Sequence, residues 1–266
     1  MFKGFEQKYP EYEIITPQTK LNLTVRSLTT SEELKIKTSL VNKNTLTEIL
    51  NKILYDCIVN KPEDLNNYNN FLKNITLADR DALFIGWYHA SYGNIVENIP
   101  VSCPKCDTSF PINYDLSAGG NLVEYSGKPK EILKEVKEVH FDIAPGFVKI
   151  KCPTLQEEID LTKSFFSDNQ EDEILNLMLF IKDIYYYAPE DKAKKDPILI
   201  DNEVDKIHAL KTLVPRDKRK IKKEYAESFG KYGLFLPYTT KCVNCGEAFD
   251  GEVNLLHYFF REVYTG

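Results

Sequence analysis

The sequence lacks several features that would indicate common classes of protein. No apolar run reaches the roughly 20 residues that a membrane helix needs, and the longest, at residues 174–181, is broken by Asn176. The first residues are not followed by the apolar segment of a secretory signal. The net charge is −6, which disfavours duplex-DNA binding, because that affinity comes largely from Lys and Arg on phosphates. We therefore expect a protein kept in a reducing cytoplasm, without a membrane segment or a nucleic-acid partner.

Motifs typical of enzymes are also missing. The sequence contains no G-x-S-x-G, no H-E-x-x-H and no dinucleotide-binding glycine pattern. Six residues separate Gly120 from Gly127, and Pro129 stands where a phosphate loop has Ser or Thr. No histidine has a partner at metal or triad spacing: the four are His89, His140, His208 and His257. The carboxylates are scattered, and we expect no enzymatic activity.

Four of the six cysteines form two C-x-x-C pairs, Cys103 with Cys106 and Cys242 with Cys245. A structural zinc ion takes four ligands in a tetrahedron, and one C-x-x-C turn supplies two thiolates. The two pairs are separated by 135 residues, so a shared site would join distant parts of the chain. The spacing predicts one structural Zn²⁺ with these four cysteines as its ligands.

The residues that follow each pair support this interpretation. Asp107 and Gly246 follow the second cysteine of each pair, and Phe110 and Phe249 come three residues later. The first of these positions often needs a left-handed backbone, which Gly adopts freely and Asp tolerates. Disulfide, redox-active or free cysteines remain alternatives, although disulfides within such short loops would gain little stability.

The other two cysteines have different surroundings. Cys57 continues an apolar helical stripe, so we interpret it as a buried small apolar residue. Cys152 has no second cysteine at ligand spacing, so a fifth ligand is not expected.

The first hundred residues predict an extended arm followed by helices. Residues 1–28 show partial alternation, typical of a strand or two. Helices at 31–41, from 45 and at 76–91 begin at capping boxes, which are Thr30 with Glu33, Thr45 with Glu48, and Thr76 with Asp79. Gly93 suits the end of the last helix, and the Asn-rich residues 66–70 are predicted to be a surface loop.

The segment between the cysteine pairs predicts strands and helices of its own. Residues 130–152 are rich in strand formers, with a turn at 144–146. The predicted helices are 154–166, starting at a capping box of Thr154 and Glu157, an apolar helix over 173–187, and 217–229, ending at Gly230. Residues 204–213 are predicted to be a short helix or an extended segment.

The last of these helices starts with many cations. They are Arg216, Lys218, Arg219, Lys220, Lys222 and Lys223. Such a cluster contacts nucleic acid, or it forms a solvated face or a docking site for an acidic partner. The net charge of the whole chain favours the second interpretation.

Together these patterns predict an α+β fold in which a zinc ribbon is split by an insertion. The predicted parts are an N-terminal arm and helical domain (1–100), a first ribbon half (101–118), an α+β insertion (119–236) and a second ribbon half with an apolar tail (237–266). The tail residues are Leu255, Leu256, Tyr258, Phe259 and Phe260. Zinc would then fix both ends of the insertion beside the N-terminal helices.

Three stretches resemble the baseplate hub and hub-assembly proteins of T-even-like contractile-tailed bacteriophages. They are Val25-Arg26-Ser27-Leu28-Thr29-Thr30-Ser31-Glu32-Glu33, the helix from Ile75-Thr76-Leu77-Ala78-Asp79 to Ser91-Tyr92-Gly93, and the two cysteine pairs in the zinc positions. Trp87-Tyr88-His89 stands where the family usually has an Arg ahead of Ser-Tyr-Gly.

The resemblance implies a component of the virion or of its assembly, formed in the host cytoplasm and located in the tail baseplate. It would act by contact with other hub and tail tube proteins in a multi-subunit assembly. Two alternatives are a zinc-ribbon protein that binds nucleic acid or assists transcription, with residues 216–223 as the contact, and a hydrolase whose residues meet only in space.

Overall fold

The computed structural model describes residues 8–39, 43–116, 125–165, 172–188, 190, 195–230, 233 and 235–254. Helices and strands are mixed, so the predicted α+β class is confirmed. The strands are β1 (Glu11–Ile15), β2 (Asn22–Arg26), β3 (Ile95–Ser102), β4 (Ser109–Asp115), β5 (Val136–His140), β6 (Gly146–Lys151), β7 (Ile181–Tyr186), β8 (Ile198–Ile200), β9 (Phe235–Lys241) and β10 (Ala248–Asn254). The helices are α1 (Thr30–Ser39), α2 (Lys43–Cys57), α3 (Tyr68–Asn74), α4 (Leu77–Tyr92), α5 (Leu155–Phe165), α6 (Asp172–Phe180), α7 (Glu203–Thr212) and α8 (Pro215–Phe229).

Several predictions extend beyond these ranges. The apolar tail at 255–266 lies outside the described residues, as do residues 1–7 of the predicted arm, 40–41 of the first predicted helix, 117–118 of the first ribbon half and 119–124 of the insertion. Among the described helices, none combines the length and the apolar character that crossing a membrane would require.

A first hydrophobic core surrounds α4, which is buried on almost every side. The Thr76 side chain accepts a hydrogen bond from Asp79 N at 3.1 Å, and Gly93 ends the helix with a φ of 92° that L-residues rarely adopt. Trp87 and Tyr88 are its largest fully buried side chains, and burying a large apolar side chain contributes about 1.5–3 kcal/mol. The β1–β2 hairpin and α1, α2, α3 and α5 pack around this helix.

A second hydrophobic core lies under an antiparallel sheet. In the described part of the chain this sheet has four strands in the order β5-β6-β7-β8. Its buried face packs against α6, α7 and α8, through side chains that include Val139, Val148, Ile184, Leu177, Leu210 and Ile221. The segment between the cysteine pairs therefore builds its own core.

Two buried aspartates hold hairpin turns against helix starts. Asp79, the third residue of α4, accepts from the N–H groups of Gln18 at 2.8 Å and Thr19 at 3.2 Å, in the turn between β1 and β2. Asp217, the third residue of α8, accepts from Asp142 N at 2.7 Å and Ala144 N at 3.0 Å, in the turn between β5 and β6. The first turn of a helix favours negative charge, so each carboxylate stabilises its helix and its hairpin together.

The two cores are joined through Gln18. Its Nε2 donates to the carbonyl oxygen of Phe229 at 2.5 Å, and Cys152 Sγ donates to its Oε1 at 3.0 Å. Leu155 N also donates to the Ile75 carbonyl at 3.1 Å, just before α4. These contacts fix the end of β6 and the end of α8 beside the first core.

The sequence-based prediction of one helix over 173–187 is wrong in its second half. Helix α6 ends at Phe180, and β7 follows at once and pairs with β6 and β8. β-Branched and aromatic side chains such as Ile184 and Tyr185 suit a pleated strand. The apolar run continues across both elements, so hydrophobicity alone did not mark the change.

The prediction of a loop at 66–70 is also wrong. Helix α3 starts at Tyr68, and the Asn67 side chain accepts from Asn70 N at 2.9 Å. Asn is among the preferred N-cap residues, so the Asn-rich stretch contains a helix start.

Three predicted helix starts are shifted, and one of them is that of α8, which starts at Pro215 instead of at 217. The capping box of α1 is Thr29 with Glu32, one residue earlier than predicted: Thr29 N donates to Glu32 Oε2 at 2.8 Å, and Glu32 N to Thr29 Oγ1 at 3.2 Å. Helix α2 starts at Lys43, ahead of Thr45.

Other predicted elements are confirmed. They are the strands of the N-terminal arm within residues 8–28, the strands within 130–152, the capping box of Thr154 and Glu157, and the end of α8 at Gly230. Of the two alternatives for residues 204–213, the helix is the one found. The division of the chain into four parts stays a prediction.

Candidate metal centre

Each cysteine pair lies at the tip of an antiparallel hairpin. The first pair follows β3 and precedes β4, whose last paired residues are Ser102 and Ser109. The second pair follows β9 and precedes β10, where Lys241 pairs with Ala248. A hairpin tip holds its two cysteines on one short turn, which presents both sulfur atoms to the same side.

The two turns have the same backbone hydrogen bonds. Cys103 O accepts from Asp107 N at 2.9 Å, and Cys242 O accepts from Gly246 N at 3.0 Å. Asp107 has a φ of 54° and Gly246 a φ of 73°. The left-handed backbone predicted after each pair is therefore confirmed.

The four sulfur atoms come together between the two hairpins. Cys103 Sγ lies 3.7 Å from Cys245 Sγ, and Cys106 Sγ lies 3.6 Å from Cys242 Sγ. All four lie within 4.8 Å of one another. In a regular ZnS₄ tetrahedron with bonds of about 2.3 Å, the sulfur atoms are about 3.8 Å apart. The donor set and its spacing fit a tetrahedral metal ion of that size.

These distances do not describe disulfide bonds, in which the sulfur atoms are about 2.05 Å apart. All six cysteines are free thiols in the structure. Cys103 and Cys242 are buried, Cys106 is half-buried and Cys245 is exposed. The cluster therefore lies at the edge of the first core, with one side open to solvent.

Polar groups surround the sulfur cluster. Thr108 Oγ1 lies 3.2 Å from Cys106 Sγ, and Asn244 Nδ2 donates to the same hydroxyl at 3.1 Å. Asn244 N also donates to Cys242 Sγ at 3.4 Å. Donors near sulfur favour the thiolate, which is the form that binds a metal.

The thiol pKa values reflect these contacts. Hydrogen bonds from the hydroxyl and N–H of Thr108 lower the pKa of Cys106 to about 6. At Cys245 the N–H of Glu247 lowers the pKa, but desolvation and the other three sulfur atoms outweigh it and raise the pKa to about 12. Four adjacent thiolates repel one another, so the cluster holds all four charges only when a cation balances them.

Aromatic packing joins the two hairpins beside the sulfur atoms. Phe110 and Phe249 meet edge to face, with ring centroids 6.3 Å apart. Tyr238 packs on Phe249 in the same way, also at 6.3 Å. The matching Phe positions noted in the sequence therefore form one contact between the hairpins.

The structure keeps the other two cysteines away from the cluster. Cys57 is buried, as predicted, and burial raises its pKa to about 12. Cys152 is buried beside Gln18, and burial raises its pKa as well. In the described part of the chain, the group of residues that could hold a metal ion consists of only the four predicted cysteines.

The polar residues around the cluster were not among the site residues predicted from the sequence. They are Lys105, Thr108, Asn244 and Glu247. Each lies within three residues of a cysteine, so its position was a usable signal. The pairs that these side chains form depend on how the two hairpins meet, which the sequence does not show.

Comparison with known families gives one match. A family model described as "T4 bacteriophage base plate protein" matches residues 9–261, a range that includes both cysteine pairs and the second core. Neither the comparison with curated proteins nor that with solved structures gives a match. The chain therefore belongs to the T4 bacteriophage base plate protein family, which supports a structural role in the baseplate of a phage tail, in assembly with other baseplate proteins.

Proposed function

We propose that this baseplate protein is a structural or assembly component of the central hub. In this proposal one zinc ion, bound by Cys103, Cys106, Cys242 and Cys245, closes a split zinc ribbon. The zinc would be structural: a four-thiolate set fills the tetrahedron and leaves no position for a reacting water. The protein would act by contact with hub and tail tube proteins, without catalysis, in the host cytoplasm and then in the virion.

The observation that carries the zinc proposal is the meeting of four sulfur atoms from two distant hairpins at ligand spacing. Without an ion, bringing four thiols side by side adds little stability. With one, the free energy of metal binding adds to that of folding. The second core lies between the two hairpins in sequence, so the ion would hold both of its ends.

The stretches that resemble hub proteins contact each other, which supports a shared architecture. Leu28 N donates to Ser91 Oγ at 3.0 Å. The Tyr92 hydroxyl lies 2.5 Å from a Glu33 carboxylate oxygen. Residues 25–33 and 91–93 are thus one packing unit, which ties α1 to the end of α4.

Mass spectrometry of purified phage particles, with chemical cross-linking, tests the hub assignment. We expect this chain in the particle or in an isolated assembly intermediate, cross-linked to hub or tail tube proteins. Cross-links confined to the outer baseplate would overturn the hub assignment while leaving family membership intact.

The nucleic-acid alternative rests on the basic start of α8 and is tested separately. A gel-shift assay with duplex DNA and with RNA measures salt-sensitive affinity. We expect no specific binding. Affinity that is lost when Lys218, Arg219, Lys220 and Lys222 are neutralised would favour the alternative.

A further inference from the structure

The cations at the start of α8 form a surface that the metal centre does not use. They occupy positions 216, 218, 219, 220, 222 and 223. The first turn of a helix carries a partial positive charge, which opposes cations there, and Arg216 and Lys218 lie within it. The other four cations extend the positive charge over the next two turns.

Carboxylates of the chain meet part of this charge. Asp142 accepts from Arg216 at 2.9 Å and from Lys220 at 2.6 Å, and the Lys220 hydrogen bond is the main reason for its lowered pKa. Glu173 accepts from Lys222 at 2.6 Å. One carboxylate thus serves two cations, and the helix keeps an excess of positive charge.

Arg219 and Lys223 contribute to this excess. Both are exposed. Arg219 Nε donates to the backbone carbonyl of Pro215 at 3.3 Å, and Lys223 Nζ lies 3.7 Å from Glu227. Neither contact holds the turn at 142–144, so both cations can bind another group without disturbing the fold.

Two exposed apolar side chains border the start of α8. Ile143 is 59% exposed and Val214 is 38% exposed. Ile143 N donates to Asp217 Oδ1 at 3.2 Å, which holds its loop against the start of α8. Apolar side chains bordered by Arg are typical of protein–protein interfaces, whereas phosphate binding does not require them.

We propose that Ile143, Val214, Arg219 and Lys223 form a docking surface for an acidic segment of another baseplate protein. The carboxylates of that segment would pair with the two cations, and an apolar side chain would cover Ile143 and Val214. The proposal rests on family membership, not on the hub assignment or on zinc. It goes beyond the proposed function by naming a surface and the chemistry of its partner.

Charge reversal tests the electrostatic part. In the full chain, Arg219→Glu combined with Lys223→Glu removes two cations that do not hold Asp142 or Glu173. The reversal replaces the exposed Lys223–Glu227 pair with like charges, which destabilises a helix only slightly, so we expect metal content to be unchanged and the unfolding midpoint to fall only slightly. The control is Lys35→Glu with Lys73→Glu, the same charge change at exposed lysines of α1 and α3.

Cross-linking identifies the partner. The chain carries benzoylphenylalanine in place of Ile143 and is expressed during phage infection, and the cross-linked peptide is sequenced by mass spectrometry. We expect a peptide with clustered Asp and Glu from a different baseplate protein. Charge reversal should lower the yield at least ten-fold, and the control pair should leave it unchanged.

The remaining outcomes overturn the proposal. They are a cross-link to nucleic acid, to a second copy, or to another part of the same chain, no cross-link at all, and a yield that charge reversal leaves unchanged. None of them affects the zinc proposal, which is read from metal content.

Discussion

Lys105 Nζ donates to Glu247 Oε2 at 2.8 Å, from one cysteine turn to the other. Both side chains are substantially exposed. The ion pair therefore links the same two turns that the sulfur atoms link. The free energies that the ion pair and a metal ion contribute decide which of them holds the turns together.

A double-mutant cycle of Lys105→Ala and Glu247→Ala measures the coupling between these side chains. Because exposed ion pairs contribute about 0.2–1 kcal/mol, we expect a coupling energy below about 1 kcal/mol and unchanged metal content in all three variants. Chemical denaturation and elemental analysis provide the readouts. Loss of metal on removing Lys105 would mean that the ion pair is part of the metal centre.

Substitutions at the two residues with left-handed backbone after the cysteine pairs should change the free energy of unfolding by different amounts. Gly246→Ala places a Cβ where φ is 73°, with no other atom within 4 Å, so strain alone should lower the free energy of unfolding by about 1–2 kcal/mol. Asp107→Gly is the matched change at the other turn. It relieves strain but makes the unfolded chain more flexible, and we expect a change within about 0.5 kcal/mol. Equal losses at both turns would contradict the left-handed conformation of Gly246.

Removing the Asp79 carboxylate should loosen the β1–β2 hairpin. Asp79→Ala leaves the N–H groups of Gln18 and Thr19 buried without their acceptor, so we expect a loss of roughly 3 kcal/mol. Asp160→Ala on the exposed side of α5 is the control, with a change within about 0.5 kcal/mol. Hydrogen exchange at residues 18 and 19 separates local from global effects. Full protection of both amides in the Asp79 variant would rule out this role.

Asp81 makes stability depend on pH. Burial raises its pKa to about 6, although the charge of Arg80 and the N–H of Gly233 oppose that rise. Between about pH 4 and pH 6 the folded chain binds this proton more tightly than the unfolded chain does, so the contribution of Asp81 to stability falls as the pH rises. A pKa shift of this size corresponds to a change of about 3 kcal/mol in the free energy of unfolding.

The test is Asp81→Asn, which cannot ionise. Relative to the unchanged chain, we expect the variant to gain stability as the pH rises from about 4 to about 7. Urea denaturation at several pH values gives the comparison. A constant difference between the two proteins across that range would show that Asp81 does not titrate in it.

Local signals in the sequence predicted those parts of the fold that local contacts determine. The capping box at Thr154 and the ends of α4 at Thr76 and Gly93 are determined by neighbouring residues, and they were found. The change from α6 to β7 depends on pairing with β6 and β8, which a sequence window does not contain. Asn67 had the right chemistry for a helix cap, but the surrounding asparagines favoured a loop.

The candidate site also combines residues that local patterns identify with residues that depend on distant contacts. The four cysteines were identified because C-x-x-C spacing and the flanking Phe residues recur in the sequence. Thr108 and Asn244 depend on how the two hairpins face each other across a long insertion. The hairpin turns held by Asp79 and Asp217 were missed for the same reason, since each joins residues some 60 to 75 positions apart.

The central claim is that one metal ion joins the two cysteine pairs. Its most direct test is the zinc content per chain, measured by native mass spectrometry and elemental analysis on the full chain and on Cys103→Ser, Cys242→Ser and the control Cys57→Ser. We predict about one zinc in the unchanged chain and in the control, and loss of zinc with a lower unfolding midpoint when either pair loses a ligand. Full zinc content and an unchanged midpoint in Cys103→Ser or in Cys242→Ser would contradict a site shared by both pairs.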